Sequence, residues 1–449
     1  MRHHGELPGW FKLFARPVKG RRGGRSREWA TLSLGLLLLP SHGLALSLSE
    51  ALRAAETTHV SLQLGQARIE RARAARSLAY SVLFPSGSIS GTYQRRARQV
   101  VRQVGSERVI LQRFNALSGA ARADIPLLRP ADYARIKASR YAYEAAIADA
   151  EAARRELWYE VTESYVSAVA AGAVVAAAKQ RVVTSRLNAR RARRRFETGL
   201  AGRNLATRAE LETASAELEL TRVENALRSA RLSLEHLMGR ELDGELTMPE
   251  APLLTDVPEP GLVERAYALR PDLRALSARL READQLAREP WLEFVPMVNG
   301  SALYTWTNET GFNGMRANWT LAVTATWVAL EGGRRFAQAK QNAAARREVE
   351  LSLTDLRRGV RQEIQLALTD LASAMKSVDQ AKTQHEVAEL NRAEVEARFE
   401  QGLTDALTVA DATEAAYEAE AETARQSLAL RIAEVALLRA LGDYTEAPR

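Results

Sequence analysis

Covalent chemistry has few residues to work with. The chain has no cysteine, which removes disulfides, zinc-thiolate and iron–sulfur sites and any thiol nucleophile. Its six histidines, His3, His4, His42, His59, His236 and His385, form no H-E-x-x-H pair. The glycine patterns of phosphate loops, dinucleotide folds and nucleophile elbows are absent. No enzyme activity, metal or cofactor is expected. Non-covalent chemistry remains, in three places. Trp319, Leu321, Val323, Ala325 and Trp327 alternate with Asn318, Thr320, Ala322, Thr324 and Thr326. A strand with this pattern has an apolar face bounded by aromatics and a polar face opposite, which suits a bilayer on one side and water on the other. Asp411 is a carboxylate eight residues past a glycine turn, with Thr408 one helical turn nearer that turn. Arg195-Phe196-Glu-Thr-Gly199-Leu200 and Arg398-Phe399-Glu-Gln-Gly402-Leu403 are the same motif twice.

These residues need long helices to hold them. Pro is absent from Ala131 to Thr247 and from Met297 to Ala447, and both spans are rich in strong helix formers. The motif pair is separated by 203 residues, and the offset persists to Leu237-Met-Gly239 and Ala440-Leu-Gly442. Upstream, Leu83-Phe-Pro85 leading to Tyr93 is echoed by Phe294-Val-Pro296 leading to Tyr304 at an offset of 211, so the first hairpin is the longer one. The chain is one unit written twice.

The spacing predicts a first repeat over 46–247, with a helix, a β-hairpin at 86–126, a long helix at 131–198 and a helix at 204–238. A linker at 248–260 follows. The second repeat, over 261–442, has a helix, a hairpin at 298–328, a long helix at 334–401 and a helix at 405–441, with a tail at 443–449. One opening helix is expected in each half, Leu48–Leu83 and Gly261–Phe294. Leu157, Val161, Ser164, Ala168, Ala171, Val175, Ala178 and Val182 step by four and three, as do Val349 to Val378. A 3.5-residue repeat keeps one stripe against a neighbouring helix. A second stripe, Trp158, Val161, Tyr165, Val169 and Gly172, lies beside the first, and a helix with two stripes touches two neighbours.

Residues 1–45 have the parts of an export signal: basic residues up to Arg27, an apolar run from Trp29 to Leu39, and small residues at Gly43-Leu44-Ala45. This segment holds eight basic and two acidic residues, +6 of the net charge of +8. The remaining body is nearly neutral, so no nucleic-acid partner is expected. No later segment is expected to span a bilayer as a helix; the best run, Ala168–Ala178, is too short. The strands are the alternative. In the return strand of the first hairpin Leu117, Gly119, Ala121, Ala123 and Ile125 alternate with Arg122 and Asp124. Four strands cannot close a barrel, and lipid forbids open edges, so several chains must share one.

On these residues the chain resembles the TolC-like outer-membrane efflux proteins. Phe84-Pro85 before Gly91-Thr-Tyr93 is similar to that family's lead-in to its first strand. Leu330-Glu-Gly-Gly-Arg334 is similar to its strand-to-helix corner, the two Phe-x-x-Gly-Leu runs to its helix tips, and Leu407-Thr-Val-Ala-Asp-Ala412 to the start of its last helix. The resemblance implies a mainly α fold with a small β part and an internal two-fold repeat. Long coiled-coil-like helices would form a trimeric α-barrel, continued by a 12-stranded transmembrane β-barrel with four strands from each chain. It implies a homotrimeric outer-membrane channel-tunnel, the exit duct of a tripartite efflux pump or type I secretion system. Its partners would be a periplasmic adaptor, an inner-membrane pump behind it, and outer-membrane lipid. It assigns Phe196, Gly199, Leu200, Phe399, Gly402 and Leu403 to adaptor docking and Thr408 and Asp411 to the periplasmic constriction. Trp319, Leu321, Val323, Ala325 and Trp327 would face lipid. The family often has a second acid where Thr408 stands. The arginines from Arg190 to Arg195 read as a solvated helix face. Arg95, Arg96, Arg98, Arg102, Arg108 and Arg113 surround the first hairpin loop, where lipid phosphates or water could meet them. A periplasmic coiled-coil scaffold or adaptor is the competing reading; an adaptor would place small β-domains around a single helical hairpin.

Overall fold

The computed structural model describes residues 46–200, 202–242, 244–247, 261–309 and 315–443. The leader expected at 1–45, the linker expected at 248–260 and the tail beyond Asp443 lie outside the described residues.

The elements follow the order α1 (Leu48–Thr58), α2 (Val60–Ser81), β1 (Ser86–Arg95), β2 (Val100–Val104), β3 (Glu107–Gln112), β4 (Asn115–Leu128), α3 (Pro130–Glu197) and α4 (Arg203–Met238). Then come α5 (Leu262–Leu269), α6 (Pro271–Leu292), β5 (Met297–Thr307), β6 (Ala317–Thr326), α7 (Arg334–Glu400) and α8 (Ala406–Leu441). The 68 residues of α3 make a helix on the order of 100 Å long. Pro130 occupies its first turn, where a missing N–H costs nothing. At the start of α7, Gly332 and Gly333 adopt φ of 57° and 82°, so the expected corner is a pair of left-handed residues that turn the strand into the helix.

Two details differ from expectation. Each opening helix is broken in two, at His59 and at Arg270. Arg270 precedes Pro271, whose ring pushes it out of the helical region to ψ 121°. His59 has the matching ψ of 129°, and its Nδ1 accepts the Ser61 N–H at 3.3 Å as a helix N-cap. The two breaks are 211 residues apart, the offset of the first hairpin motifs. Secondly, the longer first loop is itself a two-stranded ribbon, β2–β3, turned by Gly105 at φ 65°. Glycine first in a two-residue hairpin turn permits the backbone twist that suits flanking strands.

The breaks serve packing. Gly239 and Gly442 end α4 and α8 in left-handed conformations, and a side chain at either would strike the opposite break. A Cβ on Gly239 would lie 2.8 Å from Thr58 Oγ1, and one on Gly442 2.6 Å from Arg270 Cγ. Each half has a buried cluster beside its break. Leu52, Leu157, Val161, Tyr165, Leu234 and Met238 form one, and Leu262, Leu273, Val360, Ile364, Leu371 and Leu437 the other. The Tyr165 hydroxyl donates toward the carbonyls of Leu46 and Thr247 at 2.6 and 2.7 Å, which ties both ends of the first repeat to α3. The heptad stripe is buried at Leu157, Val161, Ala168, Val175, Ala178 and Val182 in α3, and at Leu353, Val360, Ile364, Ala367, Leu371, Ala374 and Val378 in α7. By length and composition α3 does contain a stretch apolar enough to cross a membrane, which the shorter run at Ala168–Ala178 understated. Half of that stretch is buried against other helices of the same chain, as in a core helix.

Candidate functional site

Four strands form one antiparallel sheet in the order β1-β4-β5-β6. The register aligns their alternations. Ile89 pairs with Ala121, Ala121 with Tyr304, and Tyr304 with Trp319. The neighbouring row on the same face is Gly87, Ala123, Ala302 and Leu321. One face therefore contains Ile89, Tyr93, Leu117, Ile125, Tyr304, Trp306, Trp319, Leu321, Val323 and Ala325. Ser88, Ser90, Thr92, Arg122, Asp124, Ser301, Thr305, Asn318, Thr320 and Thr324 occupy the other, and Arg122 Nε donates to Asp124 at 2.7 Å there. Ile89 is 90% exposed and Val323 72%, a run of bare apolar side chains that is rare on a water-soluble monomer. Aromatic residues bound it, with Tyr93, Trp306 and Trp319 toward the loops. Trp327 lies toward the helices, its Nε1 donating to the Phe294 carbonyl at 3.1 Å. Among the described residues the outer strands β1 and β6 each have an unpaired edge.

The other candidate site is the far end of the helices. Both tips end in the same closure. Gly199 at φ 74° and Gly402 at φ 78° let Leu200 N–H reach the Arg195 carbonyl at 2.8 Å and Leu403 N–H the Arg398 carbonyl at 2.9 Å. Leu200 is 80% exposed and Leu403 72%. The two phenylalanines diverge: Phe196 is exposed, whereas Phe399 is buried under Arg195. The Arg195 guanidinium lies 4.3 Å from the Phe399 ring centroid and donates to the Phe399 carbonyl at 2.7 Å. Arg191 pairs with Glu400 at 3.1 Å. Thus two members of the arginine run join the tips to each other, and Phe399 is part of that joint.

Asp411 is exposed on α8, and no hydrogen bond or ion pair engages it among the described residues. Thr408, one turn away, is occupied: its N–H and hydroxyl donate to Asp405 at 2.9 and 2.8 Å. Those bonds, the backbone one foremost, hold the Asp405 carboxyl below its usual range. Asp405 is thus the N-cap of α8. An acid just ahead of a helix is a capping signal that sequence reasoning passed over.

Sequence reasoning also missed Arg181. It is buried in α3, pairs with Glu212 of α4 at 2.7 Å and with Glu414 of α8 at 3.5 Å, and stacks on Tyr417 at 4.9 Å. Burial opposes its charge, yet the two carboxylates outweigh it and raise its pKa. Burial likewise raises that of Tyr417, whose hydroxyl has no partner among the described residues. This node crosslinks the two helical hairpins above their tips. No local motif announces it, because its members are far apart in sequence. Among the described residues no cluster could hold a metal ion.

The description "Outer membrane efflux protein" matches residues 51–240 and again 262–443. Comparison with curated protein sequences gives no match. Among solved structures the chain is similar to the outer-membrane channel OprN, at 20% identity and a TM-score of 0.76, covering 89% of this chain and 91% of that one. It is similar to the Campylobacter jejuni CmeC outer membrane channel, at 16% identity and a TM-score of 0.76, covering 90% and 87%. It is also similar to the outer membrane protein VceC of Vibrio cholerae, at 17% identity and a TM-score of 0.75, covering 88% and 96%. At these identities the solved structures establish the fold, and the paired family match, one to each repeat, establishes the lineage: the chain belongs to the outer membrane efflux protein family.

Proposed function

We propose that three copies of this chain form an outer-membrane channel-tunnel that serves as the exit duct of a tripartite efflux pump. The observation that carries this is a four-stranded sheet with one continuous apolar face and two free edges. β1 and β6 run in opposite directions, so a copy added edge to edge continues the antiparallel sheet. Twelve strands then close with the apolar face to lipid and the serine, threonine, Arg122 and Asp124 face to a water-filled lumen. Trp319, Leu321, Val323, Ala325 and Trp327 are the lipid contacts of β6. The helices continue the wall below the membrane.

In this reading the exposed Leu200 and Leu403, presented by Gly199 and Gly402, dock a periplasmic adaptor that links the duct to an inner-membrane pump. Phe196 joins that surface, while Phe399 supports it from within. Asp411 from three chains forms an acidic ring where the tunnel narrows, with Thr408 beside it. A periplasmic scaffold has no use for the exposed apolar face. Membrane flotation combined with mass measurement in detergent tests the proposal. A trimer that floats with outer membranes is expected; a stable monomer, or a protein washed off by carbonate, overturns it.

A further inference from the structure

The loop end of the sheet is rich in arginine. Because the helices leave the sheet at its other end, this end lies outside the cell if the sheet crosses the outer membrane, and the inference rests on that reading. Tyr93 Oη donates to Asn115 Oδ1 at 3.0 Å, and Asn115 is the cross-strand partner of Arg95. Arg95 therefore stands on the apolar face, two residues or roughly 7 Å beyond the aromatic band. Arg113 lies just ahead of β4, where its carbonyl accepts from the Arg96 guanidinium at 3.4 Å, and both Arg113 and Arg98, in the link to the ribbon, are exposed. Glu309, the nearby acid, is already engaged. It accepts from Arg96 and from the Arg113 N–H, and these bonds, that from Arg96 first, hold its carboxyl below the usual range. Among the described residues no ion pair engages the guanidiniums of Arg95, Arg98 or Arg113, although the charge of Arg113 also acts on Glu309.

We propose that Arg95, Arg98 and Arg113, at the root of the β2–β3 ribbon, bind the phosphate groups of an outer-leaflet glycolipid. Aromatic side chains mark the edge of the hydrocarbon, and phosphates begin just beyond it. A guanidinium offers a planar pair of donors that matches two phosphate oxygens. The position of Arg95 on the apolar side separates it from the lumen. Arg316 serves as the contrast: its carbonyl accepts from Thr307 N–H at 2.7 Å, and Thr307 pairs with Ser118 on the polar face. Among the described residues the ribbon belongs to the first hairpin, so the site is argued for the first repeat.

The test uses the mature protein in neutral detergent, with native mass spectrometry reading oligomer and bound lipid together. The probes are bisphosphorylated lipid A, the same lipid dephosphorylated, and inorganic phosphate. The variants are Arg95→Gln/Arg98→Gln/Arg113→Gln and Arg316→Gln. Each arginine near an anionic surface is worth roughly fivefold in binding. The triple variant should lose about a hundredfold for bisphosphorylated lipid A while remaining a trimer, and Arg316→Gln should bind as wild type. Dephosphorylated lipid should bind wild type as weakly as bisphosphorylated lipid binds the triple variant. Equal affinity of wild type and triple variant overturns the proposal. So does full competition by inorganic phosphate at equal concentration, which would mark a soluble-anion site. A monomer in the lipid-free spectrum refutes the barrel reading itself, and this inference with it.

Discussion

Asp405 and Asp411 lie six residues apart and do different work. Asp405 holds the first turn of α8, and Asp411 is exposed beyond that turn, without a side-chain partner among the described residues. Asp405→Ala should therefore destabilise the tip by about 1 kcal/mol, the usual value of an N-cap, read as faster amide exchange over residues 407–410, without altering ion preference. The depressed Asp405 pKa fixes the direction with pH. Its contribution is present above the carboxylate's unfolded pKa and is lost as pH falls through the lower folded one, so acid should loosen this end of α8 in wild type but not in Asp405→Ala. Asp411→Asn should do the reverse, weakening cation preference and trivalent-cation block in planar bilayers, because three carboxylates around one axis add their fields. Thr408→Asp should strengthen both. An unchanged ion preference in Asp411→Asn would remove the acidic ring. Gly442 gives a purely structural contrast. An alanine there is strained at φ 65° and meets Arg270, so Gly442→Ala should cost on the order of 1–2 kcal/mol as a lowered melting midpoint. The glycine turns at the two tips were legible because the motif repeats. Asp405 announced itself by rule, but Arg181 did not, since a buried ion pair between helices has no local signature.

Element boundaries were readable where a backbone constraint forces them. Left-handed glycines close the long helices within a residue or two of the expected points, since a residue with positive φ cannot continue a helix. Sheet faces were readable because alternation has a period of two and register then fixes everything. The two halved helices were not anticipated. Pro271 gave the break in the second repeat, and the matching one at His59 follows only when the 211-residue offset is applied to it. The ribbon was missed although Val-Gly-Ser-Glu between alternating apolar residues is a hairpin signal. The face assignment makes a sharp prediction. Val323→Arg, near the middle of the apolar face, should cost roughly 2–4 kcal/mol in the bilayer and sharply lower the yield of assembled trimer from outer membranes. Thr324→Arg, adjacent in sequence but on the polar face, should cost much less. Equal yields of the two would reverse the faces.

At the scale of the whole molecule, the sheet's edges decide how copies assemble. A sheet with strands β1-β4-β5-β6 satisfies β4 and β5 on both sides and leaves β1 and β6 open on one side each. Within lipid each unpaired backbone group costs several kcal/mol, so an isolated chain in the membrane would be strongly disfavoured. Closure by three copies removes all six open edges at once and requires contact between β6 of one copy and β1 of the next. The absence of cysteine makes this directly measurable, because any introduced pair is the only one in the chain. Ser88→Cys in β1 should be combined in turn with Asn318→Cys, Ala322→Cys or Thr326→Cys in β6, all on the polar face. Oxidation should convert at least one combination into a covalently closed trimer on non-reducing gels, and reduction should return monomer. Ser88→Cys combined with Thr305→Cys in the interior strand β5 should give no intermolecular product, since β5 is flanked by β4 and β6 of its own chain. If no β1–β6 combination crosslinks, or if β5 crosslinks as readily as β6, the edges do not meet and the shared barrel is wrong. A ladder that runs past three copies would mean that the edges meet but the ring does not close at three.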